Sequence, residues 1–525
     1  VKKSVFLNFV FMALIVFMST QKAYSQSSKK INVKSANSLE FDERTDAQRL
    51  VGDVLFEHEG TLLYCDSAYL FPDNRMDAYS NVRILSDSVQ ATGNELNYDG
   101  NTRIGILKGN VVMTDPNSKL VTDFLNYNLE LKTATYTSGG KITSQDNELV
   151  SQFGQYNSAN RMFYFRKDVV LTNPQYTTAS DTLHYSTLSE KAFFFGPTTI
   201  TSKTNKIYCE NGYYDTKTDF SEFGKNARFE SRGQVIQADT LRYDRKSGWG
   251  EARIKVQITD SSEKVVLRGE SADYSEFSGE MLITGRAEME REFGKDTLFL
   301  HADTLRSLLD TTIDKRTLYA YYHAQFYKSD FQGRCDSLTF SEADSLMRLF
   351  RSPVIWNEEN QLTADSIRIQ LANDELETMY LIKSGFIVSQ VDSVNFDQIR
   401  GKNITGYFDD NELKRVLVEG NGESIYFAED DDGAYIGINK ALSSRMMIYL
   451  DSSKIKDIMF YIKPEATLFT LEELVGEERK LRGLRWLGEI RPMKKDDIFI
   501  WKSIAPLAAE NRRKVMRQDA ETADE

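Results

Sequence analysis

Cysteine is scarce in this chain: Cys65, Cys209 and Cys335 are odd in number and far apart, which excludes a scaffold built on disulfides even in an oxidising compartment. The four histidines, His58, His184, His301 and His323, sit in unrelated contexts with no H-E-x-x-H and no close pair, so no metal centre is expected. Proline occurs only 8 times in 525 residues, against the composition of a disordered chain. Beyond residue 26 no apolar run reaches the roughly 20 residues that a bilayer helix needs. Positive charge is also short: the net charge of −13 comes without the basic stripe that tracks a phosphate backbone, and nucleic acid is excluded as a partner. The glycine pairs in "GWGEA" from Gly248 and "GNGES" from Gly420 lack the following helix that phosphate cradling requires, and read as turns.

The chain is rich instead in tyrosine and phenylalanine, 26 and 31 residues, types that favour strands. Its first residues, "VKKSVFLNFVFMALIVFMSTQKAYSQ", combine a basic pair, an apolar run from Val5 to Met18 and small residues framing a cleavage point before Gln26. Residues 1–25 therefore read as a secretory signal, the alternative being a retained inner-membrane anchor. A periplasmic location follows, with membrane association if the anchor stays.

The organising feature is a repeat. An acid or amide followed by x-Leu-x-Tyr, or a near relative, begins at Asn37, Asp66, Asn94, Asp123, Gln152, Asp181, Asn211 and Asp239, in steps of 29, 28, 29, 29, 29, 30 and 28 residues. Looser copies begin at Ser271, Asp303, Asp336, Asp365 and Asn403. Between the phrases lies a turn followed by an alternating strand, as in "SNVRIL", "GNVVMT", "KDVVLT", "NARFES" and "ARIKVQIT". Its inward candidates are Val82/Ile84, Val111/Met113, Val169/Leu171, Ala227/Phe229 and Ile254/Val256/Ile258. Period-two alternation puts Leu96 with Tyr98, and Leu125 with Tyr127, on one face, while Asn97 points the other way.

Repeats of about 29 residues are too short for independent cores, so the hairpins must stack and bury one continuous greasy face. With two rungs per repeat at about 4.8 Å, the stack is expected to be long and open-ended, on the order of 120 Å. The wider spacing after Asp239 fits either longer loops or a seam between two halves. From Leu471, "LEELVGEERKLRGLRWLGEIRPMKKDD" is helix-prone and of mixed charge, and is expected to lie outside the stack. Its basic cluster, Arg479, Lys480, Arg482 and Arg485 with Trp486, suits a solvated helix face or an anionic surface. The repeated acids form a ladder, but their period differs from that of calcium-binding β-rolls, and an Asp at a strand start bonds turn amides. No catalytic residue, metal ligand or cofactor is assigned.

The stretch "GNELNYDGNTRIGILKGNVVMTDPNSKLVTDFLNYNLELKTATYTSGGKIT" resembles the G-x-x-x-x-Y, L-x-G-N-V and D-x-x-Y pattern of the OstA-like, LptA-type proteins of lipopolysaccharide transport. The resemblance is strongest over residues 31 to about 260 and continues more loosely to about 469. It implies an all-β, elongated repeat β-jellyroll of stacked antiparallel hairpins in two V-shaped sheets, here with a short helical C-terminal tail. It divides the chain into a signal (1–25), OstA/LptA-like repeats (26–265), a continuation that forms a second half or the same stack (266–469) and a charged, partly helical tail (470–525).

By the same resemblance the protein is a non-catalytic periplasmic bridge that carries the acyl chains of lipid A from inner to outer membrane. Leu96, Tyr98, Val111, Met113, Leu125, Tyr127, Val169 and Leu171 would line its lipid groove. Its partners would be other lipopolysaccharide-transport proteins at the two membranes, met end to end by strand pairing. The alternatives are an inner-membrane-anchored component of the same pathway, and a β-solenoid acting on carbohydrate or in adhesion.

Overall fold

The computed structural model describes residues 30–503, apart from 87–88, 117, 232, 294–295, 374, 431–432 and 452–453. The expected signal at 1–25 and the last part of the tail lie outside the described residues. The chain divides into two compact units, Val1–Ser189 and Glu190–Glu525. Among the described residues every regular element is a β-strand except three short 3-10 turns near the C-terminus.

In the N-terminal unit, strands Ala47–His58, Thr61–Leu70, Arg75–Ser86, Val89–Asp99, Ile104–Thr114 and Lys119–Asn128 pair antiparallel, each with the next. Their tips use the residues that fold tight turns: Asp99 Oδ1 accepts from the backbone N–H of Asn101 at 2.8 Å, an Asx turn. Two shorter strands, Asn32–Ser35 and Ser38–Asp42, pair with Ala47–His58.

The segments read from sequence as turns before a strand are kinks within a strand. Ser80 and Asn81 both have positive φ, 60° and 51°, inside Arg75–Ser86, and the pairing register shifts there between Tyr79 and Val82. Gly52 with Asp53, Gly109 with Asn110, and Lys167 with Asp168 repeat the device. A pair of left-handed residues turns the strand aside and starts it again, as a wide bulge does. The consequence is visible in Met76 and Ile84. Eight residues of straight strand would separate them by about 26 Å, yet both border one cavity. Each strand is therefore two arms of a V.

Burial follows the kink. The residue two before it and the one just after it are buried: Leu50 and Val54, Ala78 and Val82, Leu107 and Val111, Phe165 and Val169. The repeated acid or amide sits opposite. Asn81 Nδ2 donates to Asp66 Oδ2 at 2.7 Å, and Asn37 Nδ2 to Asp53 Oδ2 at 3.2 Å. A Cβ on Gly109 would lie 2.7 Å from Asn94 Nδ2. The ladder of acids thus braces the corner of the V. All three cysteines are buried free thiols.

The C-terminal unit continues the kinked pattern, with paired positive φ at Lys225/Asn226, Gly285/Arg286, Tyr322/His323 and Lys383/Ser384. Its wider repeat spacing is absorbed in longer strands: Glu412–Glu429 has 18 residues and Tyr435–Asp451 has 17, against 12 in Arg75–Ser86. Ile254, expected inward, is the first residue of a kink, at φ 65° and exposed; Val256 and Ile258 are buried as expected. The last strand, Glu465–Phe469, ends where the repeat signal stops.

Beyond it the expected helix is absent from the described residues. Residues 471–503 form three 3-10 turns, Gly476–Arg479, Gly488–Ile490 and Lys495–Phe499, joined by irregular chain. Gly476 and Gly483 have positive φ and Pro492 lacks an amide hydrogen, so no uninterrupted α-helix of useful length fits. Nor does the segment stand apart: Leu474, Leu481, Ile490 and Ile498 are buried against the strands of this unit. Arg479, from the basic cluster, spends its guanidinium on the carbonyls of Leu471 and Leu474 and on Asn395.

Two consequences are measurable. A β-branched residue at positive φ is strained by about 1–2 kcal/mol, so Ile254→Asn is expected to raise stability by about 1 kcal/mol in chemical denaturation, whereas Gly109→Val lowers it by about 1–3 kcal/mol. Burial pushes the Cys65, Cys209 and Cys335 thiols up to about 12, leaving roughly a thousandth of the usual thiolate at pH 8. Ellman's reagent is therefore expected to label none of them in the native protein and all of them in denaturant.

Candidate functional site

The N-terminal unit holds an apolar cavity between the arms of its kinked strands. Its volume is about 70 Å³, room for several waters, but its walls are mostly hydrocarbon. One arm contributes Leu96 and Tyr98, Gly105 and Leu107, and Leu125 and Tyr127; the other contributes Leu63, Ile84, Ala91 and Met113. Strand alternation delivers these side chains: Leu96 and Tyr98 face the cavity, while Asn97 between them donates to Asp77 Oδ1 at 2.6 Å and accepts from Lys108 Nζ at 2.8 Å on the opposite face.

Space is left because two positions are small. Gly105 and Ala91 line the cavity where larger residues would close it. A Cβ on Gly105 would sit 3.4 Å from Leu96 Cδ1 and Tyr98 Cδ2, in contact without overlap. Four residues before the Lys167/Asp168 kink, the position equivalent to Gly105 carries Phe163, which stacks on Tyr156 at 4.3 Å between ring centroids and on Phe165 at 5.7 Å. Aromatic rings stack on one another in that repeat.

The lining has a few polar groups. His58 is buried, and its Nδ1 is hydrogen-bonded to the Tyr98 hydroxyl at 2.6 Å, the two rings meeting edge to face. Burial, reinforced by the nearby charge of Glu59, pushes the Tyr98 hydroxyl well above the usual phenol range, so Tyr98 stays neutral across physiological pH. Thr61 Oγ1 donates to Ser86 Oγ at 3.4 Å. Outside these groups, Arg103 pairs with Glu59 at 3.0 Å. A few hydrogen-bonded polar groups in a hydrocarbon wall suit a greasy ligand portion. Among the described residues no group of three or more His, Cys, Asp or Glu is placed to hold a metal ion.

Of the eight residues expected along a groove, Leu96, Tyr98, Met113, Leu125 and Tyr127 border this cavity. Val111 belongs to the same apolar cluster but is buried behind the wall. Val169 and Leu171 belong to the strand whose other arm carries Phe163 and Phe165, and border neither the cavity nor that cluster. The lining residues that sequence reasoning missed include Phe56, His58, Met76, Ala91, Gly105 and Leu107. Phe56 and Met76 carry the same alternation as Leu96 and were within reach of it. His58 and Gly105 carry no pattern of their own.

Among known proteins, the family model described as OstA-like protein matches residues 28–181. One solved structure with local similarity is the crystal structure of LptH, titled the LptA homologous periplasmic component of the conserved lipopolysaccharide transport device from Pseudomonas aeruginosa. It is 16% identical over 19% of this chain and 75% of that one, with a TM-score of 0.18. No curated protein matches the chain. The family match takes in every strand around the cavity, and over residues 28–181 this chain is similar to OstA-like proteins.

Proposed function

We propose that the N-terminal unit binds acyl chains in its apolar cavity and that the protein is a non-catalytic periplasmic carrier of lipopolysaccharide between inner and outer membrane. The observation that carries this reading is the cavity itself, hydrocarbon-walled and kept unfilled by Gly105 and Ala91, within the residues that match the OstA-like family. Each acyl methylene transferred from water into such a wall contributes about 0.8 kcal/mol, so a lipid is held without any catalytic group. The anionic sugar portion would stay in solvent, which reconciles an acidic protein with an acidic lipid.

Partners of the same pathway would meet the protein through strand edges. The edge element Ser38–Asp42 pairs with Ala47–His58 and carries exposed Leu39 and Phe41. In the other unit, the terminal strand Glu465–Phe469 pairs with Tyr435–Asp451 and carries exposed Leu468. Among the described residues each pairs with one strand, and an edge of this kind takes a further strand.

A photo-crosslinking residue at Tyr98, Met113 or Tyr127 is expected to capture lipopolysaccharide in cells, and one at outward Asn97 is not. Equal capture at both faces, or none at either, would overturn the reading. Filling the cavity gives an independent measure. Gly105→Leu removes room for two or three methylenes, about 2 kcal/mol, so binding of a fluorescent long-chain lipid is expected to weaken roughly thirtyfold while the melting temperature holds or rises.

A further inference from the structure

The tail of the C-terminal unit is held in a way that differs from core packing. Gln398 is completely buried, and its side-chain amide bonds the tail twice: Nε2 donates to the Arg479 carbonyl at 2.7 Å, and Oε1 accepts from the Leu481 N–H at 2.7 Å. Gln361 repeats the arrangement six residues along, donating to the Arg485 carbonyl and accepting from the Leu487 N–H, both at 2.6 Å. A carboxamide so placed offers the donor and acceptor that a neighbouring β-strand residue would offer, and it reads an extended backbone whatever the side chains. Gln325 Nε2 then donates to the carbonyls of Ile498 and Ile500, and Arg334 donates to the Lys502 carbonyl with its guanidinium 3.6 Å from the Trp501 ring centroid.

Pockets alternate with the clamps. Leu474 and Leu481 enter a cluster with Phe386, Val388, Ile425 and Phe427, and Ile490 packs on Val354 and Trp356. These side chains lie on the sheet face opposite the unit's own core, because Gln361 and Gln398 are adjacent in sequence to Leu362 and Ile399, which are buried on the other side. Between the anchors most tail residues are exposed. Buried glutamines that read main chain, with apolar pockets at intervals, form the anatomy of a peptide-binding site.

We propose that this face is a peptide-recognition track, separate from the apolar cavity, whose resident ligand is the chain's own segment 471–503. The segment is a bound strap that an identical segment can replace.

The test uses the full chain with a specific protease site inserted between Thr470 and Leu471. After cleavage the freed tail is expected to stay associated through gel filtration, and a dye-labelled synthetic peptide of residues 471–503 to exchange into its place saturably. Gln361→Ala with Gln398→Ala, or Gln398→Leu, which keeps the volume and removes the amide, is expected to weaken retention of the peptide by tenfold or more, with the β-sheet circular dichroism of the cut protein unchanged. The proposal is overturned if cleavage unfolds the body, since the tail is then an inseparable part of its core. It is equally overturned if the body stays folded and takes up no peptide, or if Gln398→Leu binds as well as the parent.

Discussion

Positive φ returning about every 29 residues, in most repeats at a pair of residues and at Gly139 and Gly196 at one glycine, is the constraint on which the structure rests. Without it each repeat would be a straight hairpin, and stacking would give a flat sheet with one exposed greasy face. With it, the kink on every second strand bends that strand and its paired neighbours, and the greasy face of one arm meets that of the other. The cost is local: non-glycine residues such as Ser80, Asn81, Lys167 and Asp168 occupy a disfavoured region. The acid or amide opposite offsets part of this by bonding the kink, as Asp66 does for Asn81, and the buried columns on either side fix the bend by packing, as Leu107 and Val111 do.

Once strands are bent this way, the space between the arms is decided by side-chain volume alone. The kink recurs through the N-terminal unit, but the position that carries Gly105 beside the cavity carries Phe163, stacked on Tyr156, two kinks further on. A ligand site on such a scaffold needs no special loop or strained element. It needs small residues at one or two positions of a repeat, and the site can be enlarged, shifted or closed by single substitutions without altering the fold.

Much of this was legible in the sequence. The period, the strands, the inward faces of Leu96, Tyr98, Leu125 and Tyr127 and the end of the repeats at Phe469 all follow from alternation and spacing. The kink was not, because a Ser-Asn or Gly-Asn pair signals positive φ equally in a hairpin tip and in the middle of a strand. Ile254 misled further, since its β-branched side chain reads as a buried strand residue while its backbone occupies the corner. The tail failed for another reason. Its composition favours helix, but the partners that set its conformation, Gln361 and Gln398, lie 124 and 81 residues away from their first contacts on it. A trace of them was present. Val354, Ile355 and Trp356, and again Phe386, Ile387 and Val388, run apolar without alternation, the signature of strands covered on both faces.

Alternation also explains how one strand serves two purposes without conflict. Neighbouring residues face opposite sides of a sheet, so Leu362 and Ile399 pack the unit's interior while Gln361 and Gln398, one position away, address the tail. Changing one set leaves the other intact. A buried glutamine on the inner face would be costly, because its amide needs partners that hydrocarbon cannot supply; on the outer face the tail's own backbone supplies them. The clamps therefore depend on the tail being seated, and the tail, having few hydrogen bonds of its own beyond three short turns, depends on the clamps for its conformation. That mutual dependence is between a site and its occupant, and it leaves the kinks and inner columns to hold the strands themselves.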